Sequence, residues 1–171
     1  MNDKILVTYA SKHGATAEIA ERIASLVAQH GSEVETVPVD RVRSLEGYSA
    51  VVLGIALYMG RWRKEAVRFL NRNGIELSKR GFWLFLTGPT GEGDPVELLK
   101  GRAVPPAQQA LLDLIHPRDL AVFGGALQPA KMGGFEKWII DRVKAPAGDF
   151  RDWTAIESWS RSIAEGLAAV K

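Results

Sequence analysis

The turn "SKHGAT", which spans residues 11–16, combines the residue types that bind a phosphate group. An apolar run, Ile5–Tyr9, precedes it and a stretch of helical period follows it, so the turn joins a strand to a helix. Two hydroxyls, two basic side chains and a flexible glycine lie at the start of that helix, whose free N–H groups carry about half a positive charge. The turn therefore predicts a phosphate site formed by Ser11, Lys12, His13, Gly14, Ala15 and Thr16.

A second interpretation of the turn is purely structural. Serine and threonine often cap helices, so Ser11 or Thr16 would then serve only the first N–H groups of the helix. The chain contains neither G-x-x-x-x-G-K-[ST] nor G-x-G-x-x-G, which argues against a nucleoside triphosphate loop and a dinucleotide fingerprint. The residues alone leave phosphate binding and capping open.

The elements around the turn alternate between strand-length apolar runs and helical patterns. The predicted strands are Ile5–Tyr9, Glu33–Pro38, Ala50–Leu57, Gly81–Thr87 and Leu120–Leu127. The first predicted helix follows the turn directly, and the second is Trp62–Asn71, with Asn73-Gly74 as its end. The third runs from Pro105-Pro106 to Pro117, and the fourth is Phe135–Lys144. The last begins near Asp152 and has a capping box at Thr154 and Glu157. Residues 88–104 and 128–134 are expected to be irregular. This order predicts an α/β fold with a parallel sheet covered on both faces, whose ligands bind at the carboxyl ends of the strands.

Composition limits the classes of function. The chain has 171 residues, 46% hydrophobic content and a net charge of +2, which fits one domain spanning residues 1–171 and is too weakly basic to indicate nucleic acid. It has no cysteine, and its three histidines show no metal-ligand spacing, so we expect neither disulfides nor a metal. Without an evident signal or membrane-length apolar run, a soluble cytoplasmic protein is expected.

The turn and the layout of five strands resemble the flavodoxin family. Tyr9, Ser11, Gly14, Thr16, Ala20 and Ile23 fill the phosphate-loop signature of that family in register, although Thr8 stands where the family prefers a large apolar residue. The resemblance implies a flavodoxin-like, doubly wound five-stranded sheet of order 2-1-3-4-5, with FMN as the noncovalent cofactor.

Longer segments are similar to menaquinone-dependent protoporphyrinogen IX dehydrogenases, which are flavodoxin-like, FMN-binding enzymes of haem synthesis associated with the inner membrane. These segments are "VVLGIALYMGRW", "AVFGGALQPAKMGGFEKWIIDRVKA" and "GDFRDWTAIESWSRSIAEGL". The stretch after the fourth strand, "GPTGEGDPVELLKGRAVPP", departs from the Arg-rich insert of that family. The resemblance implies an FMN-dependent oxidoreductase that oxidises a reduced tetrapyrrole and passes electrons to a quinone.

Two further loops are predicted to hold the flavin ring. After the third strand, these residues are Leu57, Tyr58, Met59 and Gly60, with Tyr58 stacking on the ring and Gly60 allowing a positive φ. After the fourth strand, they are Thr87, Gly88, Pro89, Thr90 and Gly91, for which an ordinary Gly/Pro turn is an equal alternative. No side chain is required as a catalytic acid or base, because the flavin carries the chemistry.

A basic cluster begins beside the first of these loops. It consists of Arg61, Arg63, Lys64, Arg68 and Arg72. Its alternatives are a solvated helix face and a site for a carboxylated substrate, in which Arg61 and Arg63 are the candidate substrate residues. Typical electron-carrier flavodoxins are strongly acidic, which this chain is not.

The sequence thus supports several functions in order of preference. The first is an FMN-dependent oxidoreductase of the protoporphyrinogen dehydrogenase type with a small-molecule or quinone redox partner. The alternatives are a flavodoxin that carries electrons between proteins, and a domain of the same fold that binds no flavin. The sequence leaves room for peripheral contact with the inner face of the membrane and for a homodimer.

Overall fold

Strands and helices alternate along the chain of the computed structural model, which describes residues 4–169. The strands are β1 (Lys4–Ala10), β2 (Glu33–Pro38), β3 (Tyr48–Tyr58), β4 (Arg61–Trp62), β5 (Gly81–Thr87), β6 (Asp119–Phe123), β7 (Ala126–Leu127) and β8 (Gly148–Asp149). The α-helices are α1 (Ala15–Gln29), α2 (Lys64–Ser78), α3 (Pro95–Leu98), α4 (Pro106–Ile115), α5 (Gly134–Val143) and α6 (Trp153–Ala168). Short 3₁₀ turns lie at Val39–Arg41 and Pro129–Lys131.

Five parallel strands form the central sheet in the order β2-β1-β3-β5-β6. If the short hairpin strand β4 is left out of the count, this is the predicted order 2-1-3-4-5, and the predicted fold class is confirmed. The strand order reverses between β1 and β3, so the carboxyl ends of these two strands face the crevice in which such sheets bind ligands.

Each face of the sheet is covered by its own pair of helices. On one face, α1 and α6 pack over Ile5, Val7 and Phe85. On the other face, α2 and α4 pack over a second set of strand side chains that includes Leu6 and Leu53. Both faces of the central strands are therefore buried, which explains their continuous apolar runs.

The fifth strand of the sheet is shorter than predicted. The sequence pattern indicates Leu120–Leu127, but β6 ends at Phe123 and the chain then leaves the sheet. A Cβ on Gly124 would lie only 2.1 Å from the backbone oxygen of Phe150, so a segment from another part of the chain passes directly against this glycine. The two residues of β7 pair instead with β8 as a small antiparallel ribbon.

The second helix is longer and begins later than predicted. Trp62 is not helical: it lies in β4, where its indole N–H donates a hydrogen bond of 2.9 Å to the carbonyl of Ala103. The helix also continues through Gly74 to Ser78. A Cβ on Gly74 would meet Leu111 and Leu114 of α4 at 3.5 Å, an ordinary van der Waals distance, so the glycine lies inside the contact between two helices and does not end one.

Two smaller predictions also change. Residues 88–104 are not wholly irregular, because α3 lies within them and the Asp94 side chain caps it by accepting from Val96 N–H. The last helix has Asp152 as its N-cap, with a 3.0 Å bond from Ala155 N–H, in place of the predicted capping box at Thr154. Among residues 4–169, no helix combines the length and apolar character needed to cross a membrane.

Candidate functional site

A cavity of about 240 Å³ opens at the carboxyl ends of β1, β3 and β5. Three of its walls are segments predicted from the sequence. Their residues in the lining are Ser11, Lys12, His13, Ala15, Thr16, Leu57, Tyr58, Met59, Thr87, Gly88 and Thr90. The fold therefore brings the turn after β1, the end of β3 and the loop after β5 around one cavity.

The turn after β1 presents a helix start that no side chain caps. Gly14 is the N-cap of α1 with φ +93°, a conformation that glycine adopts without steric cost. The Ser11 hydroxyl accepts a 3.0 Å hydrogen bond from Gly14 N–H, which closes the turn below the helix. Neither Ser11 nor Thr16 caps the first turn of α1, so the capping interpretation does not describe this helix. Ala15 and Thr16, the first two residues of α1, line the cavity, so the helix start lies at its edge, where the free N–H groups of a helix can bind an anion.

Thr16 has a structural partner that the sequence does not reveal. Its hydroxyl oxygen lies 2.6 Å from the hydroxyl oxygen of Thr87, and the two residues are 1% and 2% exposed. This bond ties the first turn of α1 to the carboxyl end of β5. The Thr16 hydroxyl is thus shared with Thr87 and does not serve a ligand alone.

The two basic residues of the turn are paired with a carboxylate from α5. Lys12 Nζ forms an ion pair with Glu136 Oε1, and His13 Nε2 lies 3.1 Å from Glu136 Oε2. All three side chains are only 22–30% exposed. The hydrogen bond from Lys12 is the main reason that the pKa of Glu136 lies below its ordinary value. This ion cluster connects the phosphate loop to α5.

The end of β3 forms a tight hairpin beside the cavity. Tyr58 pairs with Arg61, and the two turn residues between them, Met59 and Gly60, have φ values of +53° and +71°. The predicted positive φ at Gly60 is therefore confirmed, and Met59 shares it, as expected for a two-residue hairpin turn. Lys12 Nζ lies 4.3 Å from the centre of the Tyr58 ring, so a cation–π contact links this hairpin to the phosphate loop.

The loop after β5 is positioned by close backbone contacts. A Cβ on Gly88 would lie 2.5 Å from the Cβ of Leu57, so only glycine lets this loop approach the end of β3. Gly125 N–H donates a 2.9 Å hydrogen bond to the carbonyl of Pro89. The loop is therefore held between β3 and the chain that follows β6.

Some predicted site residues lie outside the cavity lining. Gly14, Gly60, Pro89 and Gly91 belong to the loops but do not line the cavity. Arg61 is exposed on β4, and Arg63 lines a separate cavity where it pairs with Glu65 at 2.7 Å. The structure therefore does not place these two arginines in the main cavity.

The fourth wall of the cavity is absent from the sequence prediction. It is formed by residues after β6 and by α5: Gly125, Ala126, Leu127, Met132, Ile140, Val143 and Ala145. Two sequence signals point to this region, namely the Gly-Gly pair within an apolar strand pattern and the irregular stretch 128–134. Neither signal says that the following helix folds back over the carboxyl ends of the strands.

These walls fit the two ends of FMN. One end can provide hydrogen-bond donors and positive charge for a phosphate. These come from the N–H groups at the start of α1, the Ser11 hydroxyl and the basic side chains of Lys12 and His13. The buried His13 Nε2 lacks a well-aligned hydrogen-bond acceptor among the described residues, which is unusual for a buried polar atom. At the other end, the lining is apolar and includes an aromatic ring, as suits an isoalloxazine. Within residues 4–169, no group of three or more His, Asp or Glu side chains is arranged to hold a metal ion.

Solved structures with this fold include several flavodoxins. A flavodoxin from the domain Archaea has a TM-score of 0.61 at 13% identity, over 96% of this chain and 99% of that one. A Streptococcus pneumoniae TIGR4 flavodoxin has a TM-score of 0.59 at 14% identity, over 98% of this chain and 99% of that one. The rubredoxin oxygen:oxidoreductase of Desulfovibrio gigas has a TM-score of 0.63 at 12% identity, over 98% of this chain but 36% of that one. At these identities, the likeness shows the fold alone.

Sequence comparison provides the family. No curated protein matches this chain. The flavodoxin domain model matches residues 6–154, which include the phosphate loop and all the walls of the cavity. The chain belongs to the flavodoxin domain family.

Proposed function

We propose that the cavity binds FMN noncovalently, with the phosphate at the start of α1 and the flavin ring between the β3–β4 hairpin and the loop after β5. The observation that carries this proposal is the uncapped α1 start beside Lys12 and His13, at one end of a cavity whose other end is apolar. FMN, when bound, supplies one- and two-electron redox chemistry. The chain's own residues bind the phosphate, orient the ring and keep water from its faces.

The favoured reaction is that of an FMN-dependent oxidoreductase of the protoporphyrinogen IX dehydrogenase type, with a quinone as acceptor. Segment 131–144, which forms one wall of the cavity, carries four Lys or Arg residues against two carboxylates. Its exposed side chains include Phe135, 75% exposed, and Trp138, 56% exposed, whose rings stack 6.1 Å apart. A surface of cations and aromatic rings suits a large apolar substrate with carboxylates, since it offers both kinds of contact.

A flavodoxin-type electron carrier is the second candidate. Membership of the flavodoxin domain family and the full-length likeness to flavodoxins favour it. A carrier needs a charged face that matches its redox partners. The basic segment 131–144 would require acidic redox partners. Typical flavodoxins differ in this respect, because their own docking face is acidic.

The same segment supports peripheral contact with a membrane. Aromatic rings and basic side chains on one short helix suit the interface of an anionic bilayer. The contact would place the cavity mouth next to a quinone dissolved in the lipid. A homodimer would be an alternative use of the exposed rings.

The membrane contact is tested by sedimentation of the protein with anionic vesicles, with F135S/W138S as the comparison. Vesicle binding that persists in the variant contradicts the membrane proposal.

The decisive experiment is flavin reconstitution followed by turnover. The purified chain is titrated with FMN, FAD and riboflavin, and binding is followed by flavin fluorescence. We expect FMN to bind most tightly, because the phosphate site admits a terminal phosphate; tighter binding of FAD, or no binding of any flavin, would contradict the proposal. The FMN-loaded protein is then assayed with protoporphyrinogen and a quinone, and separately with cytochromes. Efficient cytochrome reduction without porphyrinogen oxidation would identify a carrier.

A further inference from the structure

Glu136 pairs with Lys12 and faces His13, the two basic residues of the proposed phosphate site. We propose that the Glu136 carboxylate is an internal competitor for the phosphate group, and that a phosphate at the start of α1 displaces it and releases α5 from the loop. This inference rests on the proposed function, since it concerns the same site. In this proposal α5 is a lid. It is attached to the loop while Glu136 contacts Lys12 and His13, and it is released when a phosphate takes the place of Glu136.

The competition follows from the chemistry of the contact. A carboxylate and a phosphate present the same kind of anionic oxygen, and a side-chain ammonium is a point charge that either can satisfy. Glu136 Oε1 pairs with Lys12, while Glu136 Oε2 lies 3.1 Å from His13 Nε2 without a well-aligned hydrogen bond. A phosphate that binds Lys12 must therefore take it from Glu136. Since a phosphate dianion carries more charge than a carboxylate and also meets the α1 N–H groups, it is the stronger ligand.

The attachment of α5 explains why the competition affects the lid. None of the described residues of α5 is fully buried, and three of its large apolar side chains, Phe135, Trp138 and Val143, are more than half exposed. The helix therefore has little apolar anchoring, and the ion cluster at its first turn accounts for much of its hold on the phosphate loop. Lys12 extends this connection, because its ammonium also lies over the Tyr58 ring of the hairpin. Losing the carboxylate would free both the helix and the lysine.

The test is Glu136→Gln, which keeps the shape of the side chain and removes its charge. Removing a partly exposed competitor should tighten FMN binding roughly fivefold, the effect of about one partly screened ion pair. Riboflavin has no phosphate and leaves Lys12 paired with Glu136, so its affinity should stay within about twofold. Asp141→Asn removes the same charge from an exposed position on the same helix and serves as the matched control. It should change neither affinity.

A second readout uses inorganic phosphate and does not depend on flavin. Amide resonances of residues 12–16 are followed while phosphate is added to the wild type and to Glu136→Gln, and we expect tighter phosphate binding by the variant. Hydrogen exchange of the α5 amides should be faster in the variant than in Asp141→Asn, because the ion cluster is lost. Far-ultraviolet circular dichroism verifies that both variants fold.

The outcomes separate this inference from the proposed function. If FMN binds the wild type and Glu136→Gln binds it equally or more weakly, Glu136 supports the bound state and the inference is overturned. If no flavin binds either protein but phosphate binds the variant more tightly, the competition stands and the proposed function fails. If phosphate binds both proteins equally, the competition is overturned whatever flavin does.

Discussion

The hydroxyl oxygens of Thr16 and Thr87 lie 2.6 Å apart in the buried floor of the cavity. Thr16 lies in the first turn of α1, directly after the phosphate loop, and Thr87 is the last residue of β5, directly before the loop that forms another wall. The bond therefore holds two walls of the proposed flavin site at a fixed separation. It also gives Thr16 a role that is independent of any ligand.

Removing one of these hydroxyls should destabilise the fold. Thr16→Val leaves the Thr87 hydroxyl buried without its partner, which costs about 1–3 kcal/mol of unfolding free energy. The double variant T16V/T87V removes donor and acceptor together and should recover much of this loss. Urea unfolding of the two single variants and the double variant gives the coupling energy. Additive losses would show that the two hydroxyls do not interact.

Substitution of Gly88 should affect both stability and flavin binding. Gly88→Ala places a methyl 2.5 Å from the Cβ of Leu57, so the loop after β5 must move away from β3. Such overpacking costs about 1–3 kcal/mol, and the displaced wall should weaken FMN binding at least roughly tenfold. Gly133→Ala is the control, because a Cβ there meets no atom within 4 Å. Thermal unfolding and FMN titration test both variants; equal behaviour would mean that the loop accommodates the methyl.

The cap of the last helix distinguishes the structure from the sequence pattern. Asp152→Ala removes the acceptor of Ala155 N–H and should cost about 1 kcal/mol. Thr154→Ala, at the predicted capping position, should change stability by less than about 0.3 kcal/mol, since surface substitutions away from such features usually have small effects. Urea unfolding of both variants decides the matter. A larger loss for Thr154→Ala would restore the predicted capping box.

Arg151 should make the stability of the fold sensitive to acid. Its side chain, 7% exposed, donates to Asp149 and pairs with Glu18, and its hydrogen bond holds the pKa of Asp149 below the ordinary value of 3.8. A carboxylate with a lowered folded pKa stabilises the fold above its unfolded pKa and loses that contribution as pH falls through the folded value.

The variant Arg151→Met removes this contribution. At pH 7, it should lose about 1 kcal/mol, a modest value because water screens both carboxylates. The difference from the wild type should shrink as pH falls below the ordinary Asp149 pKa of 3.8, because Asp149 then becomes protonated in both proteins. Arg161→Met, whose side chain is 60% exposed and 3.9 Å from Glu157, is the control. Urea unfolding at several pH values measures the effect, and a difference independent of pH would contradict it.

The basic cluster provides a test of the substrate class. Arg61 lies outside the cavity, exposed on the hairpin beside it, so it can meet only a substrate carboxylate that extends beyond the cavity. For such a substrate, Arg61→Ala should raise the KM roughly tenfold while FMN is retained, as expected for the loss of a charge-assisted hydrogen bond. Arg68→Ala, at an exposed position on α2, is the control. Arg72 is unsuitable as a control because it donates to the carbonyl of Val42. Equal and small effects on KM would make the cluster a solvated face.

The sequence by itself determined the sheet and the position of the phosphate loop. Continuous apolar runs such as Ala50–Leu57 indicate strands buried on both faces, and the helical periods between them indicate a parallel sheet covered by helices. The strand order 2-1-3-4-5 came from the resemblance to flavodoxins. The turn after β1 follows from the same logic, since local residue types and spacing decide where a strand ends and a helix begins. These features depend on neighbours along the chain.

Only the tertiary structure decided which distant groups meet. The bond between Thr16 and Thr87 joins residues 71 positions apart, and Glu136 reaches Lys12 from a helix whose sequence shows no relation to the phosphate loop. Gly74 likewise reads as a helix stop until α4 packs against it. Such contacts depend on how elements pack in three dimensions, and the free energy of that packing exceeds the local preferences that a sequence pattern reports.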